Sequence, residues 1–253
     1  MASDLSELRD LLVEEGQELL AQPAGFVKLS GDLSADTLLN DLSGNPHAFL
    51  FSCLVNRQVK AERAWLLPNG IRERLKVFSI GELAELPKER WAEVLEEKPA
   101  LHRQPRPMAE VLFHATQRLV TEYESDASLI WSGKPSSATV VCRLLEFHGA
   151  GPKIASMTAN ILVRNFHVEL LDHYSIDISA DSHVQRVMAR LGFVKAGAGP
   201  QIVIYTARDL NPTFPGIFDL TLWEIGRSVC TPVAPSCSDC RLAEWCRYTG
   251  GAT

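Results

Sequence analysis

The chain contains 253 residues, and its shares of 46% hydrophobic and 22% charged residues are ordinary for a soluble globular protein. No apolar run approaches the ~20 residues that a membrane-spanning helix needs, which argues against an integral membrane protein. The N-terminal stretch MASDLSELRDLLVEEG lacks the basic start and apolar block of a secretory signal, so we expect a cytoplasmic location in a prokaryote or a nuclear one in a eukaryote.

The charge of the chain is unevenly distributed. The formal net charge of −6 at pH 7 disfavours binding to nucleic acid, because the whole molecule then repels phosphate. Residues 45–76, however, contain six Lys or Arg and two Glu, so that this stretch alone carries +4. Such a basic face is most often simply solvated, and charge alone therefore identifies no partner.

Apolar residues recur at three- and four-residue intervals along most of the chain, which predicts an all-α protein. Period-two alternation is scarce, apart from the short run QIVIY at 201–205. A turn-rich break at 98–107 separates the first helical patterns. The patterns begin with Leu5, Leu8, Leu11 and Leu12, continue with Met108, Val111, Leu112, Ala115 and Leu119, and then cover about residues 137–147, 152–162, 182–191 and 215–229.

A glycine turn stands between two of the predicted helices, in the sequence EFHGAGPKIA. Gly149 and Gly151 permit a tight turn with exposed amides, and Pro152 suits the first position of a helix. Such a turn can present amides to a phosphate, although glycine turns between helices are common. Lys153 follows in the first helical turn, where the helix dipole should help its amine to lose a proton and act as a nucleophile. A solvated or phosphate-binding lysine is the alternative.

Four of the six cysteines lie in the last 24 residues, with the spacing C-x6-C-x2-C-x5-C. In a reducing compartment such clusters are metal ligands more often than disulfides. Four thiolates suit zinc or an iron-sulfur cluster, and a single C-x2-C with wider arms favours a 4Fe-4S cluster over the paired knuckles usual for zinc. The four are Cys230, Cys237, Cys240 and Cys246, while Cys53 and Cys142, flanked by Leu and Val, are predicted to be buried core thiols.

The cysteine spacing, preceded by GRSVC at 226–230, resembles the cluster loop of the endonuclease III family, and with the glycine turn it resembles helix-hairpin-helix DNA glycosylases over about residues 45–250. The resemblance implies two helical lobes with DNA in the cleft between them. A central domain of residues 42–164 would hold the hairpin, and residues 1–41 and 165–253 would form a cluster domain. It also implies a structural 4Fe-4S cluster, with Arg241 and Arg247 nearby to meet phosphate.

The resemblance also assigns chemistry to two residues. GAGPKIA places Lys153 where bifunctional members carry a catalytic lysine, and DSHVQRV at Asp181 resembles the family's catalytic aspartate motif. The implied function is base excision with AP lyase activity, in which Lys153 forms a Schiff base before β-elimination and Asp181 stabilises the cationic sugar. By local chemistry alone, Asp181 is a helix N-cap. A monofunctional glycosylase using an Asp181-assisted water and a non-catalytic iron-sulfur DNA-binding or redox-sensing module stay open.

Lys153 and Asp181 are 28 residues apart, which is more than the family usually has. The extra residues fall in NFHVELLDHYSID at 165–177 and could line the base pocket or the DNA face. Asp172 suits the usual spacing better and Asp177 lies nearby, but neither is followed by the H-V-x-R-V context. Asp181 therefore remains the predicted catalytic carboxylate.

The implied partner is double-stranded DNA with a damaged or mispaired base, bound by a monomer. A base inside a duplex must be flipped out, which calls for a side chain to fill the vacancy. The resemblance gives this role to Gln58, with Asn56 and Arg57 near the opposite strand, although by itself Gln58 is simply a polar residue at a helix end. The other predicted DNA contacts are Gly149, Ala150, Gly151 and His183, and the possible pocket residues are His148, His173 and Tyr174.

Overall fold

The computed structural model describes residues 2–248, with side chains from residue 5 onwards, so the outermost residues of the predicted cluster domain lie outside the described part. Every regular element within 2–248 is helical, which confirms the predicted all-α class. No helix among these residues is both long and apolar enough to cross a lipid bilayer.

The chain divides into two compact units. The cysteine unit consists of residues 1–23, 136–141 and 159–253, and the hairpin unit consists of residues 24–135 and 142–158. Residues 24–41 thus belong to the same compact unit as the glycine turn, whereas the sequence had grouped them with the N-terminal helix. The predicted domain division at residues 42 and 164 remains a prediction.

The described helices follow the predicted patterns closely. Residues 215–229 are divided between a 3₁₀ helix and an α-helix. The α-helices are α1 (Ala2–Ala21), α2 (Leu33–Asn40), α3 (Pro46–Leu54), α4 (Ala61–Leu75), α5 (Ile80–Ala84), α6 (Lys88–Glu96), α7 (Pro105–Glu122), α8 (Ser137–Leu145), α9 (Pro152–Phe166), α10 (Ser182–Leu191), α11 (Pro200–Leu210) and α12 (Asp219–Ser228). The 3₁₀ helices are Ala127–Ile130, Pro215–Phe218, Cys237–Asp239 and Ala243–Trp245.

One hint from the sequence is wrong. The run QIVIY at 201–205 lies within α11 and is not extended. Pro200 begins this helix, and the buried residues Val203 and Ala207 lie one helical turn apart. Alternation over five residues cannot separate a strand from a helix that also exposes apolar side chains, as this one does with Ile202.

The core of the hairpin unit is built around α3, all nine residues of which are buried. The rings of Phe49 and Trp65 are nearly parallel, with their centroids 6.1 Å apart. The rings of Phe51 and Trp91 pack edge to face, with their centroids 6.2 Å apart. Each buried phenylalanine contributes roughly 1.5–3 kcal/mol through removal of its ring from water. A helix surrounded on all sides needs no polar face, which explains why α3 lacks clear amphipathic periodicity.

The basic stretch around α4 is used largely inside the hairpin unit. Arg63 and Arg74 donate to main-chain oxygens within residues 94–101, where α6 ends. Arg72 donates to Asn69 Oδ1 at 2.7 Å. Carbonyls in the last turn of a helix lack donors of their own, and Arg74 supplies one to Val94 O. These three cations therefore stabilise the hairpin unit by hydrogen bonds within it, and the positive charge of the stretch alone still identifies no partner.

Two glycines in the cysteine unit allow helices to approach closely. A Cβ atom on Gly16 of α1 would lie 2.6 Å from the main-chain oxygen of Ile217. A Cβ atom on Gly226 of α12 would lie 3.0 Å from the main-chain oxygen of His183 in α10. Because glycine has no side chain, α10 and α12 can cross with their backbones nearly in contact. This crossing fixes the N-terminus of α10, where Asp181 stands, against the helix that leads into the cysteines.

Candidate functional site

The glycine turn joins α8 to α9 within the hairpin unit. Gly149 has φ of +79°, in the left-handed region that favours glycine. A Cβ atom there would also lie 3.0 Å from Val111 Cγ2 and 3.1 Å from the Arg57 guanidinium. His148 and Gly149 are exposed, and Ala150 and Gly151 are partly exposed. The turn thus has the accessible backbone that the sequence predicted, while its contact with DNA stays a prediction.

Arg57 ties the end of α3 to the glycine turn. Its guanidinium donates to Gly149 O at 2.5 Å and to Leu54 O at 2.9 Å. Burial lowers the pKa of the guanidinium. The side chain therefore has a structural function in the hairpin unit, and its predicted contact with the opposite DNA strand stays a prediction.

Lys153 lies in the first turn of α9 and is partly buried. Its Nζ donates to the main-chain oxygen of Asn56 at 3.3 Å and lies 3.6 Å from Met157 Sδ. Burial raises the pKa of the nearby Cys53 thiol to about 12, against the opposing effects of a Thr158 hydrogen bond and the Lys153 charge. Cys53 is therefore a neutral thiol beneath the lysine, and its predicted burial is confirmed.

Cys142 does not match its prediction, because its side chain is exposed on α8. Val140 and Leu144, which lie two positions before and after it, are buried at no more than 1% exposure. Residues two apart in a helix point about 200° apart, to nearly opposite faces, so nearby apolar residues do not place Cys142 on the buried face.

Gln58 follows α3 and has an exposed side chain, as an intercalating residue requires. Its φ is +55°, an uncommon backbone conformation for a residue other than glycine. The side-chain oxygen accepts a hydrogen bond from Gln104 Nε2. Asn56, by contrast, is buried at 7% exposure. Of these two, Gln58 is the one whose side chain reaches solvent, and its insertion into DNA stays a prediction.

His148 beside the turn stands next to a second imidazole that the sequence analysis did not single out. The ring centroids of His148 and His114 are 4.9 Å apart. Nε2 of His114 lies 3.9 Å from the Glu110 carboxylate on the preceding turn of α7. The pair was missed because the two residues are far apart in sequence, and only the fold brings α7 to the turn.

Asp181 caps the N-terminus of α10 in the cysteine unit, as local chemistry predicted. Its Oδ1 accepts hydrogen bonds from the amides of His183 at 2.8 Å and Val184 at 3.0 Å. These bonds fix the orientation of a carboxylate that is itself partly exposed. Nδ1 of His183 is 3.1 Å from the Arg186 guanidinium. The catalytic role of Asp181 and the DNA contact of His183 stay predictions.

The segment between α9 and α10 is irregular but firmly held. Asp172 bonds to the Ser137 hydroxyl at the start of α8. Asp177 forms a two-pronged ion pair with Arg208 of α11, at 2.7 and 2.9 Å. Asp172 is the carboxylate that suited the shorter spacing and Asp177 the one near it, and both anchor the segment within the cysteine unit.

Two predicted pocket residues lie in this same segment. The His173 ring packs on the Phe214 ring, with their centroids 4.8 Å apart. Burial lowers the pKa of the His173 imidazole. Tyr174 is 55% exposed. Only Tyr174 of these two therefore presents most of its side chain to solvent, and neither role in base recognition is tested by this arrangement.

Two arginines of α10 hold the cysteine loop, residues 230–246. Arg186 donates to the Cys230 main-chain oxygen at 2.7 Å. Arg190 donates to Cys230 Sγ at 3.2 Å, and its own main-chain oxygen lies 3.5 Å from Cys246 Sγ. Arg190 thus contacts the first and the last cysteine of the loop. Neither contact was predicted from the sequence, although Arg186 and Arg190 lie four residues apart on the helix after Asp181.

The four cysteines are free thiols, of which Cys230 is buried and Cys237 is exposed. Burial raises the pKa of Cys240, and the charges of Cys230, Cys246 and Cys237 raise it further, so the four lie within electrostatic reach of one another. No three metal-binding side chains within residues 5–248 converge as closely as one bound ion requires. Each iron of a 4Fe-4S cluster takes a single thiolate, and the number and softness of these donors fit that group.

The arginines next to the cysteines have contacts inside the cysteine unit. Arg241 forms an ion pair with Glu15 of α1. The main-chain amide of Arg247 donates to Arg190 O at 2.8 Å, while its side chain lies close to Gly192. Phosphate binding by Arg241 would require this ion pair to open, whereas Arg247 is exposed.

Comparison with known proteins gives one sequence match and several structural ones. No protein-family model matches the chain. Adenine DNA glycosylase of Arabidopsis thaliana is 35% identical over 72 residues, which is 26% of this chain and only 11% of that protein. The matched stretch is thus a small part of the curated relative.

The solved structures cover nearly the whole chain. A trapped covalent intermediate of endonuclease III with DNA, described as an estranged-adenine complex, has a TM-score of 0.63 at 17% identity, over 96% of this chain and 95% of that one. A thermostable thymine-DNA glycosylase has a TM-score of 0.62 at 15% identity, over 98% of both chains. The chain therefore has the helical fold that is seen in endonuclease III and thymine-DNA glycosylase.

Proposed function

We propose that the protein is a DNA glycosylase with AP lyase activity, which removes a damaged or mispaired base from double-stranded DNA and then cleaves the strand. The observation that carries the proposal is the position of Lys153, a partly buried amine in the first turn of the helix that follows an exposed glycine turn. The likeness of the fold to endonuclease III and thymine-DNA glycosylase adds support. We further propose that the protein acts as a monomer.

The proposed reaction uses two side chains on one extrahelical nucleotide. The Lys153 amine, once deprotonated, attacks C1′ of the sugar, and the bond from C1′ to the base breaks with its electrons leaving on the base. The Asp181 carboxylate stabilises the positive charge that develops on the sugar. Hydrogen bonds from the His183 and Val184 amides keep the carboxylate oriented for this task. Ring opening gives a Schiff base, loss of a C2′ proton expels the 3′ phosphate, and water releases the amine.

Recognition of the duplex is assigned to the hairpin unit. The accessible turn that holds Gly149 and Gly151 suits a phosphate, since backbone N–H groups at a helix N-terminus bind anions without reading sequence. Gln58 would fill the space left by the flipped base, and its exposed position is consistent with that role. His183, at the start of α10, would contact the DNA strand that carries the flipped nucleotide.

The cysteine loop would hold a 4Fe-4S cluster through Cys230, Cys237, Cys240 and Cys246. Such a cluster supplies structural cross-links between distant parts of the loop, and four cysteine ligands leave no position for substrate. Arg190 supports this assignment because its guanidinium lies 3.2 Å from Cys230 Sγ, where a donor would be directed at a ligating sulfur.

Borohydride trapping tests the proposed nucleophile. Duplexes that each carry one defined lesion are incubated with wild type, Lys153→Ala and the control Lys195→Ala, which removes an exposed lysine elsewhere. We expect wild type and the control to form a covalent complex with at least one duplex, and Lys153→Ala to lose it because no amine remains to form the Schiff base.

The same panel separates the alternatives. Equal base release by wild type and Lys153→Ala without any trapped complex would contradict the lyase step and indicate attack by water. For that case Asp181→Asn is decisive, since loss of the carboxylate should slow base release whichever nucleophile acts. Binding to the duplexes with no base released from any of them would instead indicate a non-catalytic DNA-binding module.

A further inference from the structure

Asp219, the first residue of α12, is a buried carboxylate that the proposed reaction does not use. Its exposure is 7%, and its Oδ1 accepts a hydrogen bond from the Ser179 amide at 2.6 Å. A buried carboxylate is costly unless hydrogen bonds and an opposite charge compensate for lost hydration. Burying the Asp219 carboxylate therefore costs free energy of hydration, and we ask what the carboxylate contributes in return.

The opposite charge comes from Arg164 near the end of α9. Burial raises the pKa of Asp219, while the Arg164 charge and the hydrogen bonds with Ser179 lower it. Burial likewise lowers the pKa of Arg164, against the charges of Asp219 and Glu224. Asp181 faces the same region, because its charge further raises the pKa of Asp219. The charged groups around Asp219 are thus Arg164 and Asp181, with Glu224 acting on the arginine.

A short chain of hydrogen bonds leads from Asp219 to Asp181. Asp219 holds the Ser179 amide, and the Ser179 carbonyl accepts from the Asp181 amide at 2.6 Å. The residues on this path, Ser179 and Ala180, are buried, so the backbone just before Asp181 cannot relax into solvent. Asp181 then bonds to the first amides of α10. The orientation of the Asp181 carboxylate is therefore determined from both sides.

We infer that Asp219 is a positioning residue for Asp181, because its hydrogen bond to the Ser179 amide fixes the backbone that leads to the carboxylate. The inference rests on the proposed function, since it gives Asp181 a task that needs accurate placement. Asp219 would not touch DNA, and its effect passes through Ser179.

The test is the pH profile of single-turnover base release at saturating enzyme. Asp219→Asn should slow release roughly 10- to 100-fold at neutral and higher pH, since hydrogen bonds to charged groups are stronger than those to neutral ones. DNA affinity should stay within about 2-fold, because Asp219 would not touch the duplex. Asp209→Asn, which removes an exposed carboxylate on α11, is the matched control and should behave as wild type.

Arg164→Met separates charge balance from simple packing. Without the arginine, Asp219 ionises only at higher pH, so release should be slow at neutral pH and recover as the pH rises. The double variant Arg164→Met/Asp219→Asn should show no such recovery, and Arg164→Lys should restore the wild-type profile. A loss in Arg164→Met that does not change with pH, or full activity of Asp219→Asn, would overturn the inference.

A second measurement requires neither activity nor Arg164→Met. Hydrogen exchange of the His183 and Val184 amides, which bond to Asp181, is compared in DNA-free wild type, Asp219→Asn and Asp209→Asn. We expect faster exchange in Asp219→Asn alone, and unchanged exchange would overturn the positioning role. If wild type releases no base from any lesion, the proposed function fails, while this exchange result still decides whether Asp219 positions Asp181.

Discussion

The glycine turn and the cysteine loop are both short irregular segments, but they are held in different ways. The turn stands between two α-helices beside a core in which every residue of α3 is buried, and Arg57 bonds directly to it. The loop, by contrast, has an exposed Cys237 and is held at its ends by arginines of α10. The chain alone thus suffices to shape the turn. Arg241 also ties the loop to Glu15 of α1, but under the proposed function the residues around Cys237 would depend on the group that the thiolates bind.

The strongest way to break this comparison is to remove a cysteine ligand. Cys240→Ser should abolish iron binding and the yellow-brown colour, and the amides of residues 230–246 should lose protection from hydrogen exchange. Cys142→Ser, at an exposed cysteine outside the loop, is the control and should keep both iron and protection. Exchange is read by mass spectrometry, together with iron and zinc analysis.

The amides around the glycine turn should keep the same protection from hydrogen exchange in both cysteine variants, because the contacts of the turn lie in the hairpin unit. Colourless wild-type protein with stoichiometric zinc would contradict the iron-sulfur assignment. Unchanged protection of the loop in Cys240→Ser would contradict the view that its middle depends on a bound group.

The next largest effect should come from the core beneath the turn. Phe49→Ala removes a fully buried ring and should lower the free energy of unfolding by about 3–5 kcal/mol, because it leaves a cavity as well as losing buried area. Phe26→Ala, at a ring that is 50% exposed, should change it by less than about 0.5 kcal/mol. Denaturation in urea measures both, and equal effects would show that the α3 core does not dominate the hairpin unit.

The smallest effect isolates the turn itself. Gly149→Ala should lower the free energy of unfolding by about 1–3 kcal/mol, since alanine must adopt a left-handed backbone against Val111 and Arg57. Gly133→Ala is the matched control, because Gly133 has nearly the same φ but open space around it. Gly133→Ala should therefore lower the free energy of unfolding by less than Gly149→Ala does. Equal decreases would mean that the contact with Arg57 does not constrain the turn.

Much of the fold could be predicted because its signals are local. The start of α9 at Pro152 and the capping of α10 by Asp181 follow from the chemistry of single residues and were predicted at the correct positions. Cys142 was misplaced because the direction of a helical side chain depends on which face the rest of the chain covers. Sequence neighbours carry little of that information.

The parts of the site that escaped prediction all depend on long-range contacts. Arg164 and Asp219 are 55 positions apart, and nothing near either residue indicates that a buried charge will need a partner. Arg190 donates to a sulfur 40 positions away. Polar groups that interact across a core have no period or motif, so only the folded arrangement identifies them.

The left-handed backbone of Gln58 has a consequence for how this chain can vary. Glycine adopts such a conformation without the steric penalty that glutamine meets, so selection for stability alone would favour glycine at this position. The Gln58 side chain bonds to Gln104, and under the proposed function it would also fill the space left by a flipped base. The loop after α3 is thus a place where stabilising substitutions and retained activity should conflict.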